Sequence, residues 1–284
     1  MSAVTSSRTG LIPTRLLAWL AVGAFLVVQL LPLVWITIAS LKTPAELASA
    51  PLYTLPSHID FGNYVRAFST SPLLRYIGNS VLVAFATIAL TVSLAAPAAF
   101  AIEKLRFPGA QKVLAYFLLG LMIPVFVALL PTFLAFNTIG LRNTYLALIL
   151  PQVAFNLPMA IYIYTGFMRN IPDALLEAAT IDGAGTFRVF TAIVVPLSTN
   201  ATVTIAVFNF MFAWNEFVFA NTFLNTPLLK TLPVGLQDFV GQYGKTDLGA
   251  TFAAIVVSII PTVLLYLFLN RRVIDGMTAG ATKG

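Results

Sequence analysis

Six long apolar stretches, at about residues 16–39, 78–102, 113–136, 144–166, 199–222 and 249–270, alternate with short polar connections. Each is long enough for a helix to cross a bilayer, which takes about 20 mostly apolar residues. None shows the residue-by-residue alternation of a barrel strand. The pattern predicts an all-α polytopic membrane protein with six transmembrane helices. Six is an even number, so both termini share a side. Placing them in the cytoplasm puts Arg8, Arg15, Lys104, Arg106, Lys112, Arg169, Arg188, Arg271, Arg272 and Lys283 inside. Lys42, Arg66, Arg75, Arg142, Lys230 and Lys245 are then outside. The larger group is on the inner side, as the positive-inside rule requires.

The same pattern divides the chain. Residues 1–72 hold a cytoplasmic tail, the first span and an outer segment rich in Pro and Ser, in which "FGNYVRAF" predicts one short helix on the membrane surface. Residues 73–270 form a five-helix unit without the duplicated halves of inverted-repeat transporters. Residues 271–284 are a glycine-rich cytoplasmic tail. The first apolar run follows Arg8 and Arg15 and precedes "ASA" at 48–50, which resembles a signal peptide and its cleavage site. The run is longer than the roughly 7–15 residues of a signal-peptide core, and Lys42 and Glu46 separate it from that site, so it reads as an uncleaved span.

Polar residues within the spans are placed regularly. In the fifth, Thr202, Ala206, Asn209, Ala213, Glu216 and Ala220 recur at spacings of three and four, and in the second Ser80, Ala84, Thr87 and Thr91 do the same. Such stripes are either close-packing seams between helices or the lining of a polar cavity. Glu216, flanked by Trp214 and Asn215 in "AWNEF", reads as a pathway or gate element rather than a catalytic acid. An ionisable group in a span faces an interior or the interface, and no second carboxylate or histidine stands in a span to relay protons. Prolines 124, 131, 151 and 158 sit in the third and fourth spans, where neighbours must satisfy the backbone groups they leave. "LPQVAFNLP" sets Gln152 and Asn156 one turn apart, for interhelical hydrogen bonds or for a solute.

Composition narrows the chemistry. The 284 residues are 59% hydrophobic and 9% charged, against roughly 25% charged in a soluble domain. The net charge is +6, but the basic residues flank apolar runs and form no patch for nucleic acid. There is no cysteine, so thiolate metal sites and disulfides are excluded. The single histidine, His58, is in the outer loop, which excludes a histidine-based triad or zinc motif. No Gly-Lys-Ser/Thr phosphate loop is present, so ATP cannot be bound in that way. The reading is of a protein that is not an enzyme and has no cofactor and no metal.

One connection stands apart. In "IPDALLEAATIDGAGTFRVFTAIVVPLS", residues 171–198, Pro172 opens a helix and Asp173 lies in its first turn, where the dipole favours an acid. Asp182-Gly183 ends it, because glycine supplies a left-handed C-terminal turn. A second short helix over about 185–192 follows, and Pro196 opens the next span. This helix–turn–helix on the cytoplasmic face either lies in the lipid interface through Leu175, Leu176, Ala178, Ala179 and Ile181 or docks a partner through Glu177 and the turn.

The order Glu177-Ala178-Ala179, then Gly183, Ile193 and Val195-Pro196 resembles the EAA loop of permease subunits in binding-protein-dependent ABC importers. The family motif ends in Leu-Pro where this chain has Val195-Pro196. "WNEF" at 214–217, "TLPVGL" at 231–236 and the closing "GMTAGATKG" are similar to the carbohydrate-importing, maltose-permease branch. The resemblance implies the type I ABC importer fold. It makes 170–197 the coupling loop, with Glu177, Ala178, Ala179, Asp182 and Gly183 against the ATPase. It further implies a cytoplasmic ABC ATPase dimer, a second related permease and an extracytoplasmic sugar-binding protein as partners. A carbohydrate would be the cargo, in the cytoplasmic membrane of a prokaryote. Gln152, Asn156, Asn209, Trp214, Asn215 and Glu216 are the candidate substrate pathway. An ion-coupled secondary transporter is the alternative; it calls for an intramembrane charge network or repeat halves, and the sequence shows neither.

Overall fold

Proline placement and helix caps decide where the apolar runs become straight helices and where they break. The computed structural model describes residues 11–49, 51, 53–239 and 247–281, with side-chain surroundings from 16 to 267. Arg8, Ala50, Lys245, Lys283 and the end of "GMTAGATKG" lie outside the described residues. The chain forms two compact units, residues 1–70 with 239–257 and residues 71–238 with 258–284. Among the described residues all regular structure is helical.

The first unit holds α1 (Leu11–Ser40), α2 (Pro44–Ser49) and α3 (Gly62–Thr70). The segment after the first span thus has two short helices where one was expected. The missed signal is a capping box: the Thr43 N–H donates to Glu46 at 3.0 Å and the Glu46 N–H to the Thr43 hydroxyl at 3.3 Å. Hydrogen bonds from Ser57 and Thr43 hold the Glu46 carboxyl down at about 2. Asn63, fully buried, donates to the carbonyls of Ser40 and Lys42 and so ties α3 to the end of α1.

The second unit holds α4 (Leu73–Lys104), α5 (Ala110–Leu119), α6 (Val125–Thr138), α7 (Leu146–Arg169), α8 (Asp173–Ile181), α9 (Thr186–Val189), α10 (Val195–Leu197), α11 (Thr199–Trp214), α12 (Val218–Phe223) and α13 (Leu232–Gly235). The last helix, α14 (Leu248–Ala281), carries the sixth span and continues through most of the expected tail. Among the described residues four helices are long and apolar enough to cross a membrane singly: Leu16–Ser40 of α1, α4, α7 and Leu248–Leu267 of α14. The total rises to six when two bent pairs each count as a span.

Those two pairs correct the expected straight spans. The third breaks between α5 and α6 with a 94° bend. Ile123 is extended (φ −80°, ψ 114°) because a residue before proline avoids the helical region, and Pro124 has no N–H to continue the ladder. The fifth ends at Trp214; the chain leaves the helix over Asn215–Phe217 and resumes as α12. Its polar stripe is therefore divided, Thr202 to Ala213 on α11 and Ala220 on α12. The bend of 71° between Thr186–Leu197 and α11 is the other break. Pro196 lies before it, inside α10 and just after a π-helical turn at Phe190–Val194, so it does not open the next span.

α4 and α7 form the spine of the second unit. They run parallel: the Tyr145 hydroxyl meets Asn79 at one end, and Lys104 meets the Ile171 carbonyl at the other. Ala95, Ala96 and Ala99 of α4 and Ala160 of α7 are buried together, since small side chains let helices approach closely where lipid gives no hydrophobic drive. α11 runs antiparallel to α7, with Thr202 hydrogen-bonded to Tyr164 at 2.7 Å and Phe219 of α12 against Phe155. Exposed Leu, Val and Phe side chains clothe the outside, as on Leu74, Val81 and Phe85 of α4.

Candidate coupling surface and polar seam

α8 is built to stand out from the spans. Pro172 is extended (φ −61°, ψ 130°) and turns the chain out of α7. The C-terminus closes in a full Schellman motif: the Gly183 N–H donates to the Thr180 carbonyl at 3.0 Å and the Ala184 N–H to the Ala179 carbonyl at 2.9 Å. Gly183 adopts φ +81°, a left-handed conformation that costs glycine nothing. Leu176 packs against the buried cluster of α4 and α7 and anchors the inner face. Glu177, Ala178, Asp182 and Gly183 are exposed and Ala179 is half-buried. Ile181, one turn on from Glu177, is 86% exposed, and Phe187 of α9 is 78% exposed.

The sequence reading missed the charges beneath this helix. Lys104 at the end of α4 donates to Asp173 at 2.8 Å and to the Ile171 carbonyl at 2.6 Å, and Arg106 also pairs with Asp173. The hydrogen bond from Lys104, then its charge and that of Arg106, hold the Asp173 carboxyl below the usual carboxylate range despite some desolvation. One turn back, Arg169 of α7 grips both oxygens of Glu103 at 3.1 and 3.3 Å.

The candidate pathway residues do not form one site. Gln152 is 5% exposed and neither of its amide atoms has a partner, while Asn156 is half-buried. Asn209, 3% exposed, donates to the Ile205 carbonyl of its own helix and leaves its side-chain oxygen unpartnered. Thr87 and Thr91 of α4 are fully buried with unpartnered hydroxyls. These residues belong to the α4–α7–α11 seam. Trp214 and Asn215 instead meet at a cavity of about 230 Å³ that they line with Leu232, Leu236, Ser258 and Thr262. The Trp214 indole donates to the Ser258 carbonyl at 3.0 Å and stacks on Phe210.

Glu216 has a structural task that the stripe concealed. Its carboxylate accepts the N–H groups of Phe219 at 2.7 Å and Ala220 at 3.0 Å, capping α12. Glu216→Gln retains one acceptor oxygen and is expected to cost about 1 kcal/mol, and Glu216→Leu about 2 kcal/mol. The ordering of thermal midpoints in detergent, Gln above Leu, checks the cap; equal midpoints contradict it.

At the other end of α4, "TLPVGL" is bolted to that helix. Asn79 donates to the carbonyls of Leu228 at 3.0 Å and Lys230 at 2.8 Å, and Ser80 accepts the Leu232 N–H at 2.8 Å. Tyr76 and Lys230 both bind Asp238.

Residues 94–278, which include α8, its Schellman turn and the 71° bend, match the family of binding-protein-dependent transport system inner membrane components. The chain belongs to that family. A putative ABC transporter permease protein of Caldicellulosiruptor is 37% identical over 89% of this chain and 91% of its own length. The diacetylchitobiose uptake system permease protein NgcG of Streptomyces coelicolor is 36% identical, covering 90% and 85%. The trehalose/maltose transport system permease protein MalG of Thermococcus litoralis is 35% identical, covering 93% and 96%. Among solved structures, a chain of a bacterial ABC transporter that imports alginate superposes with a TM-score of 0.81 at 21% identity, over 95% of this chain and 99% of that one. The fold is thus that of an ABC importer permease, and the chain is a transport component, not an enzyme.

Proposed function

We propose that this permease carries a carbohydrate across the cytoplasmic membrane of a prokaryote by ATP-driven alternating access. The observation that carries the coupling half of the reading is α8, a capped helix on an ion-paired base that exposes Glu177 and Ala178. A permease without a phosphate loop of its own draws free energy from a partner, and a rigid exposed helix is a means of transmitting it. Glu177, Ala178, Ala179, Asp182 and Gly183 then meet a cytoplasmic ABC ATPase dimer, with both termini on that side. A second related permease completes the pore and an extracytoplasmic binding protein delivers the sugar. Relatives named for uptake of diacetylchitobiose, of sulfoquinovosyl glycerol and of trehalose and maltose support a carbohydrate as the cargo. The functional parts are residues 1–72, the five-helix body 73–270 with its coupling loop 170–197, and the tail 271–284.

Reconstitution in proteoliposomes with a cognate ATPase, second permease and binding protein tests the proposal. Sugar-loaded binding protein is expected to stimulate ATP hydrolysis and drive uptake. Uptake that follows an ion gradient without ATP overturns it in favour of a secondary transporter.

A further inference from the structure

The ends of α4 and α7 beside α8 carry a cluster of paired charges. Lys104 is the centre of it: its side chain is only 3% exposed, yet its ammonium reaches both the Asp173 carboxylate and the Ile171 carbonyl. A buried ammonium is costly unless it is paired and hydrogen-bonded, and these two acceptors supply the pairing. Ile171 and Asp173 flank Pro172, the residue that turns α7 into α8. The lysine therefore fastens the end of α4 to the joint between α7 and α8. Arg106 holds the second oxygen of Asp173, and Glu103–Arg169 closes α4 on α7 one turn away.

We infer that Lys104 and Asp173 are positioning residues of a strut that makes α4, α7 and α8 move as one body, so that displacement of α8 is delivered to the spans. The inference rests on the coupling reading of α8. It adds which arm of the loop carries the force. The arm toward α7 is held by ion pairs on α4 and continues into the helix pair with the most extensive packing. The arm toward α11 contains the π-helical turn at Phe190–Val194 and the 71° bend at Ser198, whose buried hydroxyl has no partner. A π-turn interrupts the regular ladder, and such interruptions mark places where a helix yields. One arm is thus a strut and the other a hinge.

The test compares sugar transported with ATP hydrolysed in the reconstituted importer. Asp173→Asn and Lys104→Met are each expected to leave the ATPase bound to the purified complex and still stimulated by loaded binding protein. Sugar moved per ATP should fall about tenfold, within the range of a coupling free energy between two sites. The double variant is expected to be no worse than either single, because the two residues act through one contact. Asp173→Glu and Lys104→Arg, which retain the charges, should restore most of the ratio. An unchanged ratio in both single variants overturns the strut. So does loss of the ATPase from the complex, which would make these residues part of docking. Failure of the coupling reading looks different: the ATPase would then remain bound and stimulated in Glu177→Lys.

Discussion

Gly183→Pro is expected to abolish uptake while the spans remain inserted. Gly183 has φ +81°, and proline is fixed near −65°. The Gly183 N–H also donates to the Thr180 carbonyl, and proline has none to give. Losing both the left-handed turn and that bond costs about 3 kcal/mol or more, enough to unwind the last turn of α8. The spans are untouched, because Gly183 is exposed and a Cβ there would meet nothing within 4 Å. Gly183→Ala is the graded control: with no clash, only the left-handed strain of about 1–2 kcal/mol remains, and uptake should fall partially. Glu177→Lys leaves the helix intact and reverses the charge it displays, so ATPase co-purification should be lost by about thirtyfold or more in affinity, as for a hot-spot contact. Uptake assays with immunodetection of inserted protein check all three. Full uptake by Gly183→Pro would show that the shape of this turn is irrelevant to transport.

The second large effect is expected at Gly235, in "TLPVGL". A Cβ there would lie 2.0 Å from Cδ2 and 2.5 Å from Cε2 of Tyr76. The ring cannot swing away cheaply: it is 1% exposed and its hydroxyl is bound to Asp238. Gly235→Ala is expected to cost about 3 kcal/mol, at the upper end of overpacking, through displacement of Tyr76 or of the "TLPVGL" segment. The thermal midpoint in detergent should drop and uptake should fall with it. Gly166→Ala is the matched control, since nothing lies within 4 Å of a Cβ at that position in the last turn of α7 and alanine is the better helix former by up to about 1 kcal/mol. It should be neutral or stabilising. Equal midpoints for the two variants would place Gly235 in open space.

Much of this was legible in order along the chain. α1, α4, α7 and the apolar part of α14 follow directly from long apolar runs, because in a bilayer only a helix satisfies its own backbone. α8 and its stop were legible because Pro172, Asp173 and Asp182-Gly183 act through bonds to their immediate neighbours. Pro124 was equally visible, yet Pro131, Pro151 and Pro158 have the same covalent chemistry and lie inside continuous helices. Which proline breaks a span depends on the neighbours that surround it. Glu216 misled for a related reason. Spacing placed it on the stripe with Asn209, whereas its carboxylate caps the next helix and ends the periodicity on which the stripe depended.

The charges divide in the same way. Thr43 and Glu46, three apart, are a local pair that sequence could have disclosed. Lys104 and Asp173 are separated by 69 positions, and Tyr76 and Asp238 by 162. Nothing in the amino-acid order announces that they meet. The sequence by itself determined the membrane class and the capped helix over Asp173–Ile181 with its glycine stop, since hydropathy and caps act over one or two turns. Only the tertiary structure decided which spans bend, that Trp214 and Asn215 share a cavity apart from Gln152 and Asn209, and that a buried lysine holds α8 to α4. Those outcomes depend on side chains brought together by the packing of α4, α7 and α11, and packing couples residues without regard to their distance along the chain.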